Sequence, residues 1–276
     1  MRAVAEALRR VGQESNIPLP WSSLGSMIAP LRGQLCIVLA EPGIGKSAFS
    51  LNWAAKITRP SLVLSLDTDL GTQAIRLASL MTQTKTEDVK HNPDVWANWL
   101  MAHAQHVRMY DLSIESRDLS RLVEAEAEYW GQVPDLVVVD NVGNLVREGS
   151  YEEHRAVFSD LHRIARRLDT FVVALHHTRR GGTRGGTPQM ASGLYGGEQE
   201  AEILLGLSRG PGSPSKGILN CSVLKNRSGN ADSNGGLYAR LFFNRETMEI
   251  TDLTQHQAAT VALAGMNEVK DVEQQV

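Results

Sequence analysis

The sequence predicts an α/β protein whose sheet is parallel in its first part and antiparallel in its last part. Up to residue 177, apolar runs that read as strands alternate with helical patterns, which is typical of parallel strands joined by crossover helices. After residue 201, strand patterns follow one another across turns rich in Gly, Pro, Ser and Asn. Short connections of this kind favour antiparallel pairing. We therefore expect a central, mostly parallel sheet flanked by helices, with a C-terminal antiparallel β extension.

The elements of the parallel part follow one another in a regular order. Strands are predicted at 34–40, 61–66, 106–112, 134–140 and 170–176, and helices at 47–57, 70–82, 92–103, 117–130 and 150–168. The antiparallel strands are predicted at 202–207, 218–224, 237–243 and 248–252. Apolar residues recur at helical spacing in each helix. In the helix at 92–103 this spacing places Trp96, Trp99 and Leu100 in the core.

The pattern along the chain divides it into three parts. Residues 1–17 form an N-terminal arm with an amphipathic helix candidate at 3–13, followed by a connector that contains Pro18 and Pro20. Residues 18–253 carry all the strand and helix patterns above and form the main domain. Residues 254–276 have few strong core anchors, so we expect a peripheral helix or a frayed end.

Composition limits the class of protein. The chain has 276 residues, 42% of them hydrophobic, with a net charge of −3 and a pI near 6.3, so it lacks the global basic excess of many nucleic-acid binders. Cys36 and Cys221 lie in strand-like runs and read as reduced core residues. The sequence has neither a bilayer-length apolar stretch nor a signal-peptide pattern at its start, so we expect a soluble, cytoplasmic protein without membrane contact.

The segment AEPGIGKS, residues 40–47, follows the first strand and opens a helical pattern. Backbone N–H groups of such a loop surround phosphates, Lys46 supplies a cation, and the Ser47 hydroxyl ligates Mg²⁺. Ala40 replaces the usual first glycine. The alternative is a glycine-rich turn with a surface lysine, but the strand and helix around it favour binding of ATP with Mg²⁺. The predicted contact residues are Glu41, Pro42, Gly43, Ile44, Gly45, Lys46, Ser47 and Ala48.

Three further residues follow predicted strands of the parallel part. Asp140 ends an apolar strand and is predicted to hold Mg²⁺ beside Ser47, although many strands end in Asp. Asp67 either orients or deprotonates the attacking water, or serves as a turn or N-cap residue. His176 and His177 are consecutive, so at most one of them should face a nucleotide.

The stretch after His177 is rich in arginine and glycine and contains Arg179, Arg180 and Arg184. It leaves the sheet at the edge where ligands bind in open α/β sheets. A flexible basic loop there can follow the phosphates of a nucleic acid. Loops of this composition are otherwise solvated connectors, and the position of this one favours the binding interpretation.

The order of the motifs resembles the RecA-like motor domain of DnaB-type hexameric replicative helicases, over residues 18–253. The match is to a single-domain version of the kind found in phages and plasmids. The motifs that carry the resemblance are AEPGIGKS at 40–47, SLD at 65–67 followed by an amphipathic helix that ends RLAS at 76–79, VVVDNVGNL at 137–145, VALHH at 173–177, GEQEAE at 197–202 and LKNRSG at 224–229.

The resemblance implies roles for individual residues. Asp67 matches the catalytic base, which is normally Glu, and His177 matches the phosphate sensor, which is commonly Gln. Lys225 and Arg227 match a pair that reaches the γ-phosphate of the neighbouring subunit as an arginine finger. The loops at 143–150 and 178–190 match those that hold single-stranded DNA. Arg147 therefore joins the arginines after His177 as a predicted DNA contact.

The function implied is that of a P-loop ATPase in DNA replication. We expect an ATP-dependent DNA helicase or translocase that acts on single-stranded DNA as a homo-oligomer, a hexameric ring with ATP between subunits. A replication loader or a primase is the expected partner class. Two alternatives stay open: a RecA-like recombinase or mediator that forms filaments, and a nucleotide-gated DNA-binding or loading module with little turnover.

Overall fold

The computed structural model describes residues 16–147, 149–178, 186–190, 197–209, 217–254 and residue 257. The predicted arm lies outside these residues except for 16–17, and the predicted tail except for 254 and 257. Three of the arginines predicted to contact DNA also lie outside them: Arg179, Arg180 and Arg184.

The bounds of the elements are close to those that the sequence predicts. Strands β1 to β6 are Leu35–Ala40, Ser61–Ser65, Val107–Tyr110, Leu136–Asp140, Phe171–His177 and Ile203–Arg209. Strands β7 to β9 are Ile218–Asn226, Tyr238–Asn244 and Glu249–Asp252. Helices α1 to α8 are Ser22–Gly25, Lys46–Lys56, Leu70–Thr82, Thr86–His91, Pro93–His103, Leu119–Trp130, Tyr151–Leu168 and Gly197–Glu200.

Within the described part of the chain, the nine strands form one sheet in the order β3-β2-β4-β5-β1-β6-β7-β8-β9. The pairs from β3 across to β6 are parallel. The pairs from β6 to β9 are antiparallel. The predicted fold class is therefore confirmed, with the antiparallel extension attached at β6.

Strand β1 contributes alternate side chains to two cores, one on each face of the sheet. Cys36 and Val38 join the core that includes α2 and α3, whereas Leu35 and Ile37 join the core that includes α6 and α7. Both faces are thus covered, which explains why β1 is apolar throughout instead of alternating with polar residues.

The helical region before β3 differs from the prediction in two ways. The sequence pattern does not predict α4 as a separate helix. The prediction that Trp96, Trp99 and Leu100 lie in the core is wrong, since they are partly exposed and no residue of α5 is buried. The reason is that α5 lies on α3 and α4, and Leu100 contacts the core only from a partly buried position, so the apolar spacing of α5 marks a peripheral helix.

Aromatic residues tie the start of the domain to its last strand. The Trp21 ring is fully buried and stacks on Phe49 of α2, with 4.3 Å between ring centroids. Its indole N–H donates to the carbonyl of Ile250 in β9 at 3.0 Å. The indole N–H of Trp53, also in α2, donates to the Pro18 carbonyl at 2.8 Å. The antiparallel extension is therefore anchored directly on the helix that follows the phosphate loop.

The Asp252 carboxylate closes this contact by capping α1. It accepts from the backbone N–H groups of Ser22 at 2.7 Å and Ser23 at 3.1 Å, and from both hydroxyls. Burial raises the pKa of Asp252, but the hydrogen bonds from the two serines outweigh burial and leave this pKa below its ordinary value. Ionised Asp252 therefore stabilises the folded chain.

We expect Asp252→Asn to lower the free energy of unfolding by about 1–2 kcal/mol, because an amide nitrogen cannot accept the serine hydrogen bonds. Urea denaturation measures this change. The matched control is Glu128→Gln, which removes the charge of an exposed carboxylate in α6. The stabilisation by Asp252 is full above its unfolded pKa and is lost as pH falls through its lower folded pKa. Equal stability of wild type and D252N at neutral pH would contradict the capping role.

Candidate nucleotide-binding site

Four strand ends meet where the phosphate loop begins. Ala40 in β1 pairs with His177 in β5, and Ser65 in β2 pairs with Asp140 in β4. These strands are parallel, so their carboxyl ends share one edge of the sheet, which is where ligands bind in such folds. A pocket of about 400 Å³ lies there. The predicted site residues that line this pocket are Pro42, Gly43, Gly45, Lys46, Ser47, Ala48, Asp67, Asp140 and His177.

Two residues predicted to contact the nucleotide do not line the pocket. Ile44 is half-buried and packs against the core instead. The carbonyl of Glu41 accepts a hydrogen bond from Lys46 at 3.2 Å. Ile44 therefore attaches the loop to the core, and Glu41 helps to hold the Lys46 side chain.

The backbone of the loop explains which glycines it needs. Gly45 has φ +123°, a conformation that side chains rarely adopt, and a Cβ there would lie 3.0 Å from the Phe243 ring. Ala40, which replaces the usual first glycine, is fully buried at the end of β1 and does not have a positive φ. The alanine at this position is therefore compatible with the loop.

Lys46 is held inside the loop and is 6% exposed. Its Nζ donates to the carbonyl of Ala40 at 2.8 Å and lies 3.0 Å from Nδ1 of His177. A protonated lysine has only donors, so Nδ1 of His177 accepts and its proton lies on Nε2. Burial lowers the pKa of Lys46 to about 8, against the opposing charges of Asp140 and Asp67. Burial and the Lys46 charge also lower the pKa of His177.

Asp140 and Ser47 form a pair of oxygen donors at the bottom of the pocket. Asp140 is 4% exposed, and burial raises its pKa, while a hydrogen bond with Ser47 and the charge of Lys46 lower it. Mg²⁺ prefers oxygen ligands and is commonly held by one or two protein groups together with substrate phosphates. A hydroxyl and a buried carboxylate in contact with each other fit that requirement.

Asp67 lines the pocket and is exposed to solvent. This position is compatible with the predicted role of activating a water molecule. Arg76 of α3 lines the same pocket and its charge lowers the pKa of Asp140. The sequence reasoning did not give Arg76 a role. The signal that could have assigned one is its place in the RLAS segment at 76–79, which belongs to the resemblance.

The antiparallel extension supplies a second group of residues that the sequence reasoning missed. Phe243, Arg245 and Met248 line the pocket from β8 and the turn before β9. Arg209, at the end of β6, donates to the carbonyl of Gly43 at 2.7 Å. No local pattern marks these residues, because only the pairing of distant strands brings them to the loop.

Lys225 and Arg227 do not reach this pocket within one chain. Strand β7 runs against β6, and Lys225 pairs with Leu204 near the start of β6. The end of β6 contacts the phosphate loop through Arg209, so Lys225 lies about 15 Å away along the strands, at roughly 3.3 Å per residue. The two cations are therefore near the opposite edge of the sheet from Lys46.

The two consecutive histidines point to opposite faces of β5, as predicted. His177 lines the pocket. His176 is 5% exposed, and its ring centroid lies 5.5 Å from that of His154 and 5.6 Å from that of Phe158 in α7. Burial lowers the pKa of His176 to about 4. His176 is thus a neutral core residue.

Arg147 is exposed and follows a short 3₁₀ helix at Val142–Leu145, after β4. Its guanidinium forms an ion pair with Glu115. Its backbone N–H donates to the Glu153 carboxylate at 2.6 Å, which ties the segment to the first turn of α7. The predicted contact of Arg147 with DNA stays a prediction.

None of the helices in the described part of the chain is long and apolar enough to cross a membrane.

Comparison with known proteins identifies a family and a similar phage protein. A family model described as "AAA domain" matches residues 19–183. The Gene 65 protein of Mycobacterium phage L5 is 32% identical over 250 residues, which covers 85% of this chain and 93% of that protein.

Two solved structures share the fold. An isolated ATPase domain superposes with a TM-score of 0.77 at 18% identity, covering 92% of this chain and 98% of that one. The second is the structure of a DnaB-like replicative helicase, described together with its interactions with primase. It superposes with a TM-score of 0.75 at 18% identity, covering 91% of this chain and 65% of that one. At this identity the likeness shows the fold alone. The chain belongs to the AAA domain family, and its fold is that of the RecA-like ATPase domain of DnaB-type helicases.

Proposed function

We propose that the protein is an ATP-dependent DNA helicase or translocase that works as a ring, with ATP and Mg²⁺ bound between subunits. The observation that carries this proposal is the division of the predicted site. Lys46, Asp67 and Asp140 share one pocket, whereas Lys225 and Arg227 lie near the opposite edge of the sheet. A site that uses both groups takes them from two subunits.

The residues of the pocket have separable tasks in this proposal. Loop N–H groups and Lys46 bind the β- and γ-phosphates, and Ser47 with Asp140 would hold Mg²⁺, which supplies positive charge to the phosphates when bound. Asp67 orients the attacking water and takes its proton. His177 contacts Lys46 and lies beside the loop, so it is placed to sense the phosphates.

Asp67 also supports one of the alternative functions. The side chain is one methylene shorter than the Glu expected of this position in the helicases that the sequence resembles. A base that reaches the water poorly favours a module in which nucleotide controls DNA binding with little turnover. Stimulation of hydrolysis by DNA distinguishes the motor from this module.

DNA contacts are proposed for the loops at 143–150 and 178–190, on Arg147, Arg179, Arg180 and Arg184. The ion pair of Arg147 with Glu115 offsets its charge, so most of the phosphate contact falls to the other arginines. A primase or a loader is proposed as partner, because the DnaB-like helicase with a similar fold is described through its interactions with primase.

We expect ATP hydrolysis to rise on addition of single-stranded DNA, and Lys46→Ala to abolish both basal and stimulated hydrolysis because it deletes the cation of the phosphate loop. Steady-state phosphate release measures both rates. Lys90→Ala is the control, since Lys90 is an exposed lysine whose ion-pair partner among the described residues is Glu87. Near wild-type turnover of K46A would contradict the phosphate-loop assignment. A hydrolysis rate that is the same with and without single-stranded DNA would favour the nucleotide-gated module.

Asp67→Asn should lower turnover much more than ATP affinity, because a general base acts chiefly in the transition state. Asp67→Glu keeps the carboxylate and should retain activity or exceed wild type. Comparison of kcat with the Kd of a nucleotide analogue tests both variants. Equal loss of affinity and turnover in D67N would make Asp67 a structural residue or part of the metal shell.

Arg227→Ala should be almost inactive alone, since arginine fingers contribute roughly 10³ to 10⁵ in rate. A mixture of R227A with K46A should recover hydrolysis, because some interfaces then pair an intact phosphate loop with an intact finger. Phosphate release is compared for the mixture and for each variant alone. If co-assembled subunits show no recovery, Arg227 does not act in trans and the shared-site mechanism is wrong.

A further inference from the structure

A second cluster of charged side chains lies away from the nucleotide pocket, where α7, α8 and β7 meet. Its centre is Glu202, directly before β6. The Glu202 carboxylate accepts from the backbone N–H of Leu35, the first residue of β1, at 3.0 Å. Nε2 of His162 in α7 lies 3.1 Å from the same carboxylate. The Leu35 hydrogen bond therefore fixes Glu202 from β1, and His162 approaches the same carboxylate without hydrogen-bond geometry.

Arg227 is attached to Glu202 through both its backbone and its side chain. The Arg227 N–H donates to the Glu202 carbonyl at 3.0 Å, and its Nη1 lies 3.6 Å from the Glu202 carboxylate. Nη2 donates to the carbonyl of Gln199 at 2.9 Å. A guanidinium has five N–H donors in a planar fork, and the Arg227 side chain is 48% exposed. Some N–H donors of the guanidinium thus remain available to a phosphate while Gln199 and Glu202 hold the group in place.

Lys225 belongs to the same arrangement. Its Nζ donates to the carbonyl of Glu198, one residue before the carbonyl that holds Arg227. These carbonyls lie in α8, a helix of four residues without a later turn whose N–H groups could donate to them. Burial and the charge of Arg227 lower the pKa of Lys225, and the carboxylate of Glu202 opposes them. The two cations therefore lie side by side, and Glu202 is a nearby counter-charge for both.

We propose that Glu202 is the positioning residue of the Arg227 finger: its carboxylate, fixed by the backbone N–H of Leu35, aims the guanidinium out of the sheet edge toward the site of the next subunit. This rests on the proposed function, because it assumes that Arg227 acts in trans. Glu202 touches neither nucleotide nor Mg²⁺ of its own chain in this scheme.

The chemistry favours aiming over simple stabilisation. The Arg227 side chain reaches solvent and its Nη1 lies 3.6 Å from the carboxylate; such a pair contributes little to folding, so loss of the Glu202 charge should leave the chain folded. A small displacement of a catalytic group, in contrast, costs up to about 100-fold in rate. Glu202→Gln keeps an oxygen that accepts from Leu35, and it replaces the other oxygen, which faces Arg227 and His162, with an uncharged amide group.

The experiment uses mixed assemblies, so that the subunit giving the phosphate loop differs from the subunit giving the finger. R227A supplies the loop and K46A supplies the finger. Glu202→Gln is added either to K46A or to R227A. The matched control is Glu200→Gln on the K46A chain, since Glu200 also faces His162, at 3.3 Å, but is not an ion-pair partner of Arg227 in the described residues. Glu202→Asp, which keeps the charge, is the conservative variant.

We expect Glu202→Gln to lower the recovered kcat by about 10- to 100-fold when it sits on the K46A chain, with KM for ATP unchanged. On the R227A chain it should have no effect, Glu200→Gln should have none on the K46A chain, and Glu202→Asp should recover part of the loss. Thermal melting and co-assembly of each variant are measured alongside.

Three results would overturn the proposal. If R227A and K46A complement each other and Glu202→Gln has no effect on either chain, Glu202 does not position the finger although the shared site stands. If Glu202→Gln lowers activity equally on both chains, or lowers the melting temperature together with activity, its role is structural. If R227A and K46A do not complement each other at all, both the shared site and the positioning role of Glu202 are wrong.

Discussion

The structure depends on the burial of β1 between β5 and β6. Parallel neighbours occupy both edges of β1, and helices cover both of its faces. The strand therefore has no freedom to slip by a residue, because a shift would turn every apolar side chain to the other core. The phosphate loop inherits this fixed position, which is why Lys46 meets the carbonyl of Ala40 and the ring of His177 with ordinary hydrogen-bond distances.

The change from parallel to antiparallel pairing at β6 has the largest consequence for the proposed mechanism. A parallel β7 would end at the same edge as the phosphate loop and would bring Lys225 and Arg227 to the pocket of their own chain. The antiparallel β7 carries them to the other edge and brings Phe243 and Arg245 to the loop in their place. One reversal of strand direction thus separates the two halves of the proposed site.

How far the sequence predicts this arrangement depends on the distance between the residues that make it. Lys46 and Ser47 lie in one local pattern, and Asp140 ends a strand that can be read from its apolar run, so all three were predictable. Phe243 meets Gly45 only through strand pairing, and Arg245 reaches the pocket in the same way, which local periodicity does not encode. Trp96 and Trp99 mislead for a related reason, because apolar spacing does not say whether a helix packs on the sheet or on other helices.

The burial of Lys46 changes the interpretation of the loop. The sequence pattern shows only that Lys46 supplies a cation, and the structure holds this cation among two carbonyls and His177. Burial lowers the pKa of Lys46 and raises that of Asp140, and each charge opposes the shift of the other. Removal of either charge would therefore let burial shift the pKa of the other group further from its ordinary value. The positions of the two groups in the pocket therefore favour the charged form of each, which is the form that binding of phosphate and Mg²⁺ requires.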